Sequence, residues 1–140
     1  MTQISFTPFP DLATERLTLR QLNSEDENEI LSLRSDERVN EFLDRKKART
    51  IEDAQKFIQN INEGIARNKW ICWAITLIDK STLIGTICLW KISNDRSKAE
   101  IGFELLPGYQ GKGIMQEALL GIIEFSFENM KLYTLEGDFT

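Results

Sequence analysis

The chain has 140 residues, a length that suits a single domain with a buried core. Hydrophobic residues make up 41% of it and charged residues 28%, as is usual for a globular protein. The net charge of −5 argues against a nucleic-acid partner, because phosphate backbones are bound by basic surfaces. A membrane partner is not expected either, because no apolar run reaches the roughly 18 residues of a membrane span.

The chain contains no histidine, which excludes nucleophilic mechanisms that pair Ser or Cys with His, and predicts no metal site based on histidine. Cys72 and Cys88 lie in strand-like runs without C-x-x-C spacing, so they are predicted to be reduced, buried thiols. The first residues lack the basic and apolar regions of a signal peptide, and a cytoplasmic location is therefore expected.

The first elements in chain order are short. Alternating apolar residues over 14–22 predict a strand. Ser24 and Glu27 have the spacing of a capping box, which predicts a short helix after them. The charged segment 35–49 has few apolar residues and is predicted to be a solvated loop or helix end.

The middle of the chain predicts a helix followed by a β-hairpin. Thr50 and Asp53 form a second capping-box pattern, and apolar residues then recur at helical spacing up to about Arg67. Two β-rich runs, 70–78 and 83–92, are separated by four turn-forming residues. The predicted order is β-α-α-β-β-β-α-β, an α/β (α+β) arrangement with an antiparallel meander at its centre.

A strand, a glycine-rich turn and a long helix follow. Residues 99–106 alternate as a strand does, and Pro107 and Gly108 end it. A helix is predicted from about Ile114 to Glu128, with one broad apolar face. The residues predicted to lie opposite that face are Glu117, Gly121, Glu124 and Glu128.

The turn before this helix, 110–115, is a candidate anion site. Helix N-termini expose unpaired N–H groups, glycine lets a phosphate approach the backbone, and Lys112 adds a positive charge. An ordinary strand-to-helix turn fits the spacing equally well. A P-loop fits poorly, because Gly113 stands where that loop needs Ser or Thr after the lysine. A dinucleotide-binding loop also fits poorly, because its glycine spacing is reversed here.

The stretch AEIGFELLPGYQGKGIMQEAL resembles the acetyl-CoA-binding signature Q/R-x-x-G-x-G/A of the GNAT acetyltransferase superfamily. Gln110 matches its first position and Gly113 its fourth, whereas Met115 stands where glycine or alanine is usual. Together with the segments TERLTLRQL and LIGTICLW, it is most similar to the ribosomal-protein N-terminal acetyltransferase (RimJ/RimL-like) branch. The resemblance covers nearly the whole chain and implies one acetyltransferase-like domain over 1–140.

The resemblance implies a mixed, mainly antiparallel sheet with flanking helices and a splayed, bulged central strand. It also implies direct transfer of acetyl from acetyl-CoA to a primary amine, on a peptide or protein N-terminus or a small molecule. Backbone groups of the central strand would bind the thioester, and the turn would bind the diphosphate. The corresponding cofactor-binding residues are Phe103, Glu104, Leu105, Gln110, Gly111, Lys112, Gly113, Ile114 and Met115.

The resemblance also suggests which residues do chemistry. Glu100 matches the glutamate of the family's A-E-I strand and is the first candidate for the general base, with Glu104 as the alternative. A solvent-facing strand carboxylate is the other interpretation of each. Asn40, Glu41 and Phe42 are candidate contacts to the acceptor substrate, because that region lines the acceptor side in the family.

The family pattern normally continues beyond the last strand predicted here into another helix and strand, so a truncated C-terminus is expected. An incomplete sheet edge of this kind could pair two copies of the chain as a homodimer. It also leaves open a second function, an inactive acyl-CoA-binding module that acts as a sensor or partner protein. A third, a nucleotide-binding domain, would rest on the glycine turn alone.

Overall fold

The computed structural model describes residues 5–35, 49–93, 98–128 and 134–136. Within these ranges one six-stranded sheet is flanked by three α-helices. The elements are β1 (Leu12–Ala13), β2 (Leu17–Arg20), α1 (Glu27–Ser35), α2 (Ile51–Ala66), β3 (Ile71–Leu77), β4 (Gly85–Trp90), β5 (Lys98–Leu105), α3 (Ile114–Glu128) and β6 (Thr134–Glu136). Short 3₁₀ turns, Ser24–Asp26 and Pro107–Tyr109, precede α1 and α3. The predicted fold class and hairpin are confirmed.

The strands follow one another in the sheet in chain order. Strands β1 to β5 pair antiparallel, and β6 pairs parallel to β5 over Lys98–Glu100. Six consecutive pairs join β4 to β5 without an extra residue, so the expected bulge is absent from this register. Among the described residues, β6 pairs with β5 over Lys98–Glu100, and β4 pairs with β5 over Glu100–Leu105.

Helices cover both faces of the sheet. On one face, the Trp73 ring of β3 packs edge-on against Phe125 of α3, with 5.4 Å between ring centroids. On the other face, Trp90 of β4 packs against Trp70, whose indole N–H donates to the Ile61 carbonyl of α2. Since β3 lies between the two layers, its residues from 71 to 76 are all buried.

Two helix starts test the capping predictions. At α2 the prediction is confirmed, because Thr50 accepts the Asp53 N–H and the Asp53 carboxylate accepts the Thr50 N–H. Before α1 it is wrong by one residue. The cap is Asn23, whose side-chain oxygen accepts the Glu25 backbone N–H. The Asp26 carboxylate in turn accepts the Asn23 backbone N–H. Asparagine is at least as good a cap as serine, so the preceding residue takes that position.

The prediction that the two cysteines are reduced thiols is wrong. Cys72 and Cys88 lie directly opposite each other on β3 and β4, with 4.0 Å between their Cα atoms, and form a disulfide. The antiparallel register places the buried side chains together, a relationship that the 16-residue separation does not reveal.

Candidate functional site

The glycine-rich turn joins the end of β5 to the start of α3. Gly111 and Gly113 both have φ near +76°, a left-handed conformation that other residues rarely adopt. The first helical bond runs from the Glu117 N–H to the Gly113 carbonyl at 3.1 Å. The N–H groups of Ile114–Gln116 therefore have no acceptor within the helix, as the anion-site prediction requires.

The turn is both held in place and open to an incoming group. The Gln110 side-chain amide donates to the Leu105 carbonyl at 2.9 Å, which ties the turn to the end of β5. Gly111, Lys112 and Gly113 are exposed, and a Cβ on Gly111 would meet open space. These residues suit a diphosphate, because free N–H groups, a helix dipole and a lysine meet where no side chain blocks the approach.

A polar network behind the turn was not predicted from the sequence. The carboxylate of Glu117, in the first turn of α3, accepts from the Thr14 hydroxyl. It also accepts from the Arg16 backbone N–H at 2.8 Å and from its guanidinium Nε at 2.7 Å. A second guanidinium nitrogen of Arg16 donates to the Lys112 carbonyl at 3.1 Å. The β1–β2 turn therefore contacts both the first turn of α3 and the glycine-rich turn before it.

Glu117, which was predicted to lie opposite the apolar face of the helix, thus lies in a polar network, and its side chain is only 19% exposed. The Thr14 hydroxyl is the largest cause that lowers the pKa of Glu117 from 4.5 to about 2. Partial burial opposes this shift, while the backbone N–H and guanidinium of Arg16 reinforce it. The carboxylate is therefore ionised throughout the neutral range.

The two candidate bases share one face of β5. Glu100 lies opposite Trp90, and Glu104 lies opposite Thr86, on the side of the sheet that carries α2. Four residues along a strand separate them by roughly 13 Å, so the two carboxylates cannot work as a close pair. Glu104 is partly buried.

The Glu100 side chain is 39% exposed, and its Oε2 lies 3.0 Å from the Lys91 ammonium. Phe103 and Leu105 point to the opposite face of the sheet, which carries α3, so their backbone groups rather than their side chains lie along the edge of β5. The candidate acceptor contacts Asn40, Glu41 and Phe42 lie outside the described residues.

Two features are absent from the described part of the chain. It contains no group of three or more His, Cys, Asp or Glu side chains arranged to hold a metal ion. None of its helices combines the length and the apolar character that a membrane crossing demands.

Residues 16–139 match the family model described as an acetyltransferase (GNAT) domain. The chain is 30% identical to the uncharacterised N-acetyltransferase YoaA of Bacillus subtilis (strain 168) over 124 residues, which cover 89% of this chain and 70% of YoaA. It is similar in structure to a GNAT-family acetyltransferase from Bacillus anthracis, with a TM-score of 0.75, 26% identity, and coverage of 88% of this chain and 69% of that one.

Two more distant structures share the fold. One is the ribosomal-protein-S5-alanine acetyltransferase of Vibrio fischeri, with a TM-score of 0.70 and 21% identity, covering 88% of this chain and 70% of that chain. The other is the microcin C7 self-immunity acetyltransferase MccE, determined in complex with acetyl-CoA and AMP. Its TM-score is 0.68 and its identity 21%, over 84% of this chain and 66% of that one.

Proposed function

The chain belongs to the GNAT acetyltransferase family, whose acetyl donor is acetyl-CoA, and we propose that it transfers acetyl directly to a primary amine. The amine is either the N-terminus of a peptide or protein or a small molecule. The observation that carries the proposal is the turn 110–115, where two left-handed glycines lead into unpaired helix N–H groups.

Binding of the donor falls to backbone groups. N–H groups of residues 111–115 would hold the diphosphate, whereas the Gln110 N–H already donates to the Pro107 carbonyl at 3.2 Å. Lys112 would add a positive charge beside the diphosphate. Backbone groups of β5 at Phe103–Leu105 would bind the thioester, which supplies the activated acetyl group. An N–H aimed at the thioester oxygen would stabilise the charge that develops there, an effect worth roughly 3 kcal/mol in comparable sites.

Proton removal falls to Glu100. An amine at neutral pH is mostly an ammonium ion and must lose a proton before its nitrogen can attack. Glu100 is partly exposed on the face of β5 that carries α2, and it already contacts an ammonium group, that of Lys91. Glu104 is the alternative base, on the same face but nearer the turn.

The RimJ/RimL-like interpretation favours a protein N-terminus as the acceptor. Support comes from the motifs TERLTLRQL and GKGIMQEAL and from the shared fold with the S5-alanine acetyltransferase. The acidic net charge suits a basic peptide, because opposite charge speeds encounter.

The test begins with a calorimetric titration of the chain with acetyl-CoA, using ATP and NAD as controls. Selective binding of acetyl-CoA, followed by thiol release in the presence of N-terminal peptides or small amines, is the expected result. Binding without thiol release from any acceptor would favour the inactive acyl-CoA-binding module. Equal binding of ATP or NAD would overturn the proposal.

A further inference from the structure

Lys91 follows the last residue of β4 and breaks the alternation of that strand. Trp90 and Glu100 lie directly opposite each other and share one face of the sheet. A regular strand would point the next residue, Lys91, to the other face. Instead Lys91 has φ of +48°, and its ammonium lies 3.0 Å from Oε2 of Glu100.

The ion pair alone does not account for this conformation. The Lys91 side chain is 80% exposed and that of Glu100 is 39% exposed, so water screens their attraction strongly. A non-glycine residue in the left-handed region carries strain, and such strain is concentrated at functional sites. Because of this backbone conformation, the primary amine of Lys91 contacts the carboxylate of Glu100, the proposed base.

We propose that Lys91 is an internal acetyl acceptor, modified in cis by its own chain. The inference rests on the proposed function, since it uses the same donor and the same base. Glu100 takes a proton from the Lys91 ammonium. The freed Nζ then forms a bond to the acetyl carbon and the thioester C–S bond breaks. The nitrogen loses its second proton, the thiolate leaving group takes up one proton through solvent, and Glu100 releases its own proton to solvent.

Acetylation of Lys91 also changes the surroundings of Glu100. An acetylated Lys91 carries no charge and leaves Glu100 without its ammonium partner. Glu100 is then available to the ammonium group of a diffusing acceptor. The unmodified chain should therefore show a lag in the acetylation of added amines, and Lys91→Ala should remove that lag.

The experiment incubates the purified chain with isotopically labelled acetyl-CoA and maps acetyl-lysine by mass spectrometry after trypsin digestion. Acetylation of Lys91 blocks cleavage there and produces a peptide spanning Ser81–Arg96. The rate at Lys91 should be independent of protein concentration. It should exceed the rate at Lys69 and Lys80, two exposed lysines whose acetylation is expected to be uncatalysed.

Glu100→Gln should slow acetylation of Lys91 by roughly 100-fold, toward the rate of those two lysines, because the general base is lost. Lys91→Arg keeps a positive charge but has no acceptor amine, and its calorimetric affinity for acetyl-CoA should equal that of the wild type. If the wild type acetylates added amines while Lys91 reacts no faster than Lys80, the inference is wrong and the proposed function stands. If the wild type does not bind acetyl-CoA, the proposed function itself fails.

Discussion

Arg16 and Glu117 lie 101 residues apart in the sequence, yet the guanidinium Nε of Arg16 donates to Glu117 Oε1 at 2.7 Å. Because Arg16 also donates to the Lys112 carbonyl, it connects the start of α3 with the turn proposed to bind diphosphate. The turn and the first helical residues are therefore fixed to one another before a ligand arrives. Pre-organised N–H groups bind an anion more tightly than groups that must be ordered on binding.

Arg16→Ala should accordingly weaken the binding of acetyl-CoA. The bonds of Arg16 order the turn rather than contact the ligand, and its side chain is 47% exposed, so the expected loss is on the order of 1 kcal/mol, a rise in Kd of roughly fivefold. The affinity should be measured by calorimetry at neutral pH. An acetyl-pantetheine donor, which lacks the diphosphate, should show no difference between the variant and the wild type.

Arg20→Ala is the matched control for this experiment. Arg20 also joins a carboxylate and a carbonyl, those of Asp26 at 2.7 Å and Ser81 at 2.7 Å, but none of these residues belongs to the turn. It should lower the free energy of unfolding without changing the affinity for acetyl-CoA. Equal losses of affinity in the two variants would show that Arg16 acts only through stability.

The network should also make stability depend on pH. The pKa of Glu117 is lowered from 4.5 to about 2, mainly by the Thr14 hydroxyl, so the folded state favours the ionised form. Its contribution is fully present above about pH 4.5 and is lost as the pH falls through 2. Because the Arg16 side chain is 47% exposed, the expected size is only on the order of 1 kcal/mol.

Urea unfolding of the wild type and of Glu117→Gln at several pH values between 2 and 7 measures this contribution. The wild type should be the more stable of the two at pH 7, and the difference should shrink as the pH falls below 4.5. A difference that does not depend on pH would mean that the charge of Glu117 contributes nothing to folding.

The turn itself is tested at Gly113, with Gly108 just before the turn for comparison. Gly113 has a φ of +76°, and a Cβ there would lie 3.4 Å from the Arg16 guanidinium, whereas a Cβ on Gly108 would meet nothing within 4 Å. Gly113→Ala should therefore distort the turn, at a cost of about 1 kcal/mol, and raise the Kd for acetyl-CoA several-fold. Gly113→Glu should weaken binding further, because a carboxylate repels the diphosphate.

Gly108→Ala serves as the control, and its Kd should match that of the wild type. Isothermal titration of the three variants at one salt concentration gives the comparison. If Gly113→Glu binds acetyl-CoA with unchanged affinity, the diphosphate does not bind at this turn.

Local sequence patterns predicted the helices and strands well, whereas contacts between residues far apart in the sequence could not be predicted. The cap at Thr50 and the helix from Ile114 depend on neighbours within a few residues, and the sequence displays those neighbours directly. The contact of Arg16 with Glu117 depends on how the β1–β2 turn meets α3, and no spacing encodes it. For that reason the sequence placed Glu117 opposite the apolar face but did not reveal its partners.

The sequence also did not predict the left-handed backbone of Lys91 or the disulfide, for a related reason. The β-rich composition of 83–92 predicted a strand, and β4 confirms it, but nothing in the sequence marks Lys91 as left-handed. The pairing of Cys72 with Cys88 likewise follows from register, which requires the whole hairpin. The candidate bases could be chosen only by resemblance, since an alternating strand gives Glu100 and Glu104 the same pattern.

Substitution of these two carboxylates decides between them. Glu100→Gln keeps the size and removes the proton acceptor, so kcat for an added amine should fall by roughly 100-fold or more, with acetyl-CoA affinity unchanged. The loss should be greatest near neutral pH and smaller in alkaline solution, where more of the amine is already deprotonated. Glu104→Gln, on the same face of β5, is the matched control and should retain turnover. If the loss appears in Glu104→Gln and not in Glu100→Gln, the base is Glu104, and Lys91 then contacts a carboxylate that takes no part in the reaction.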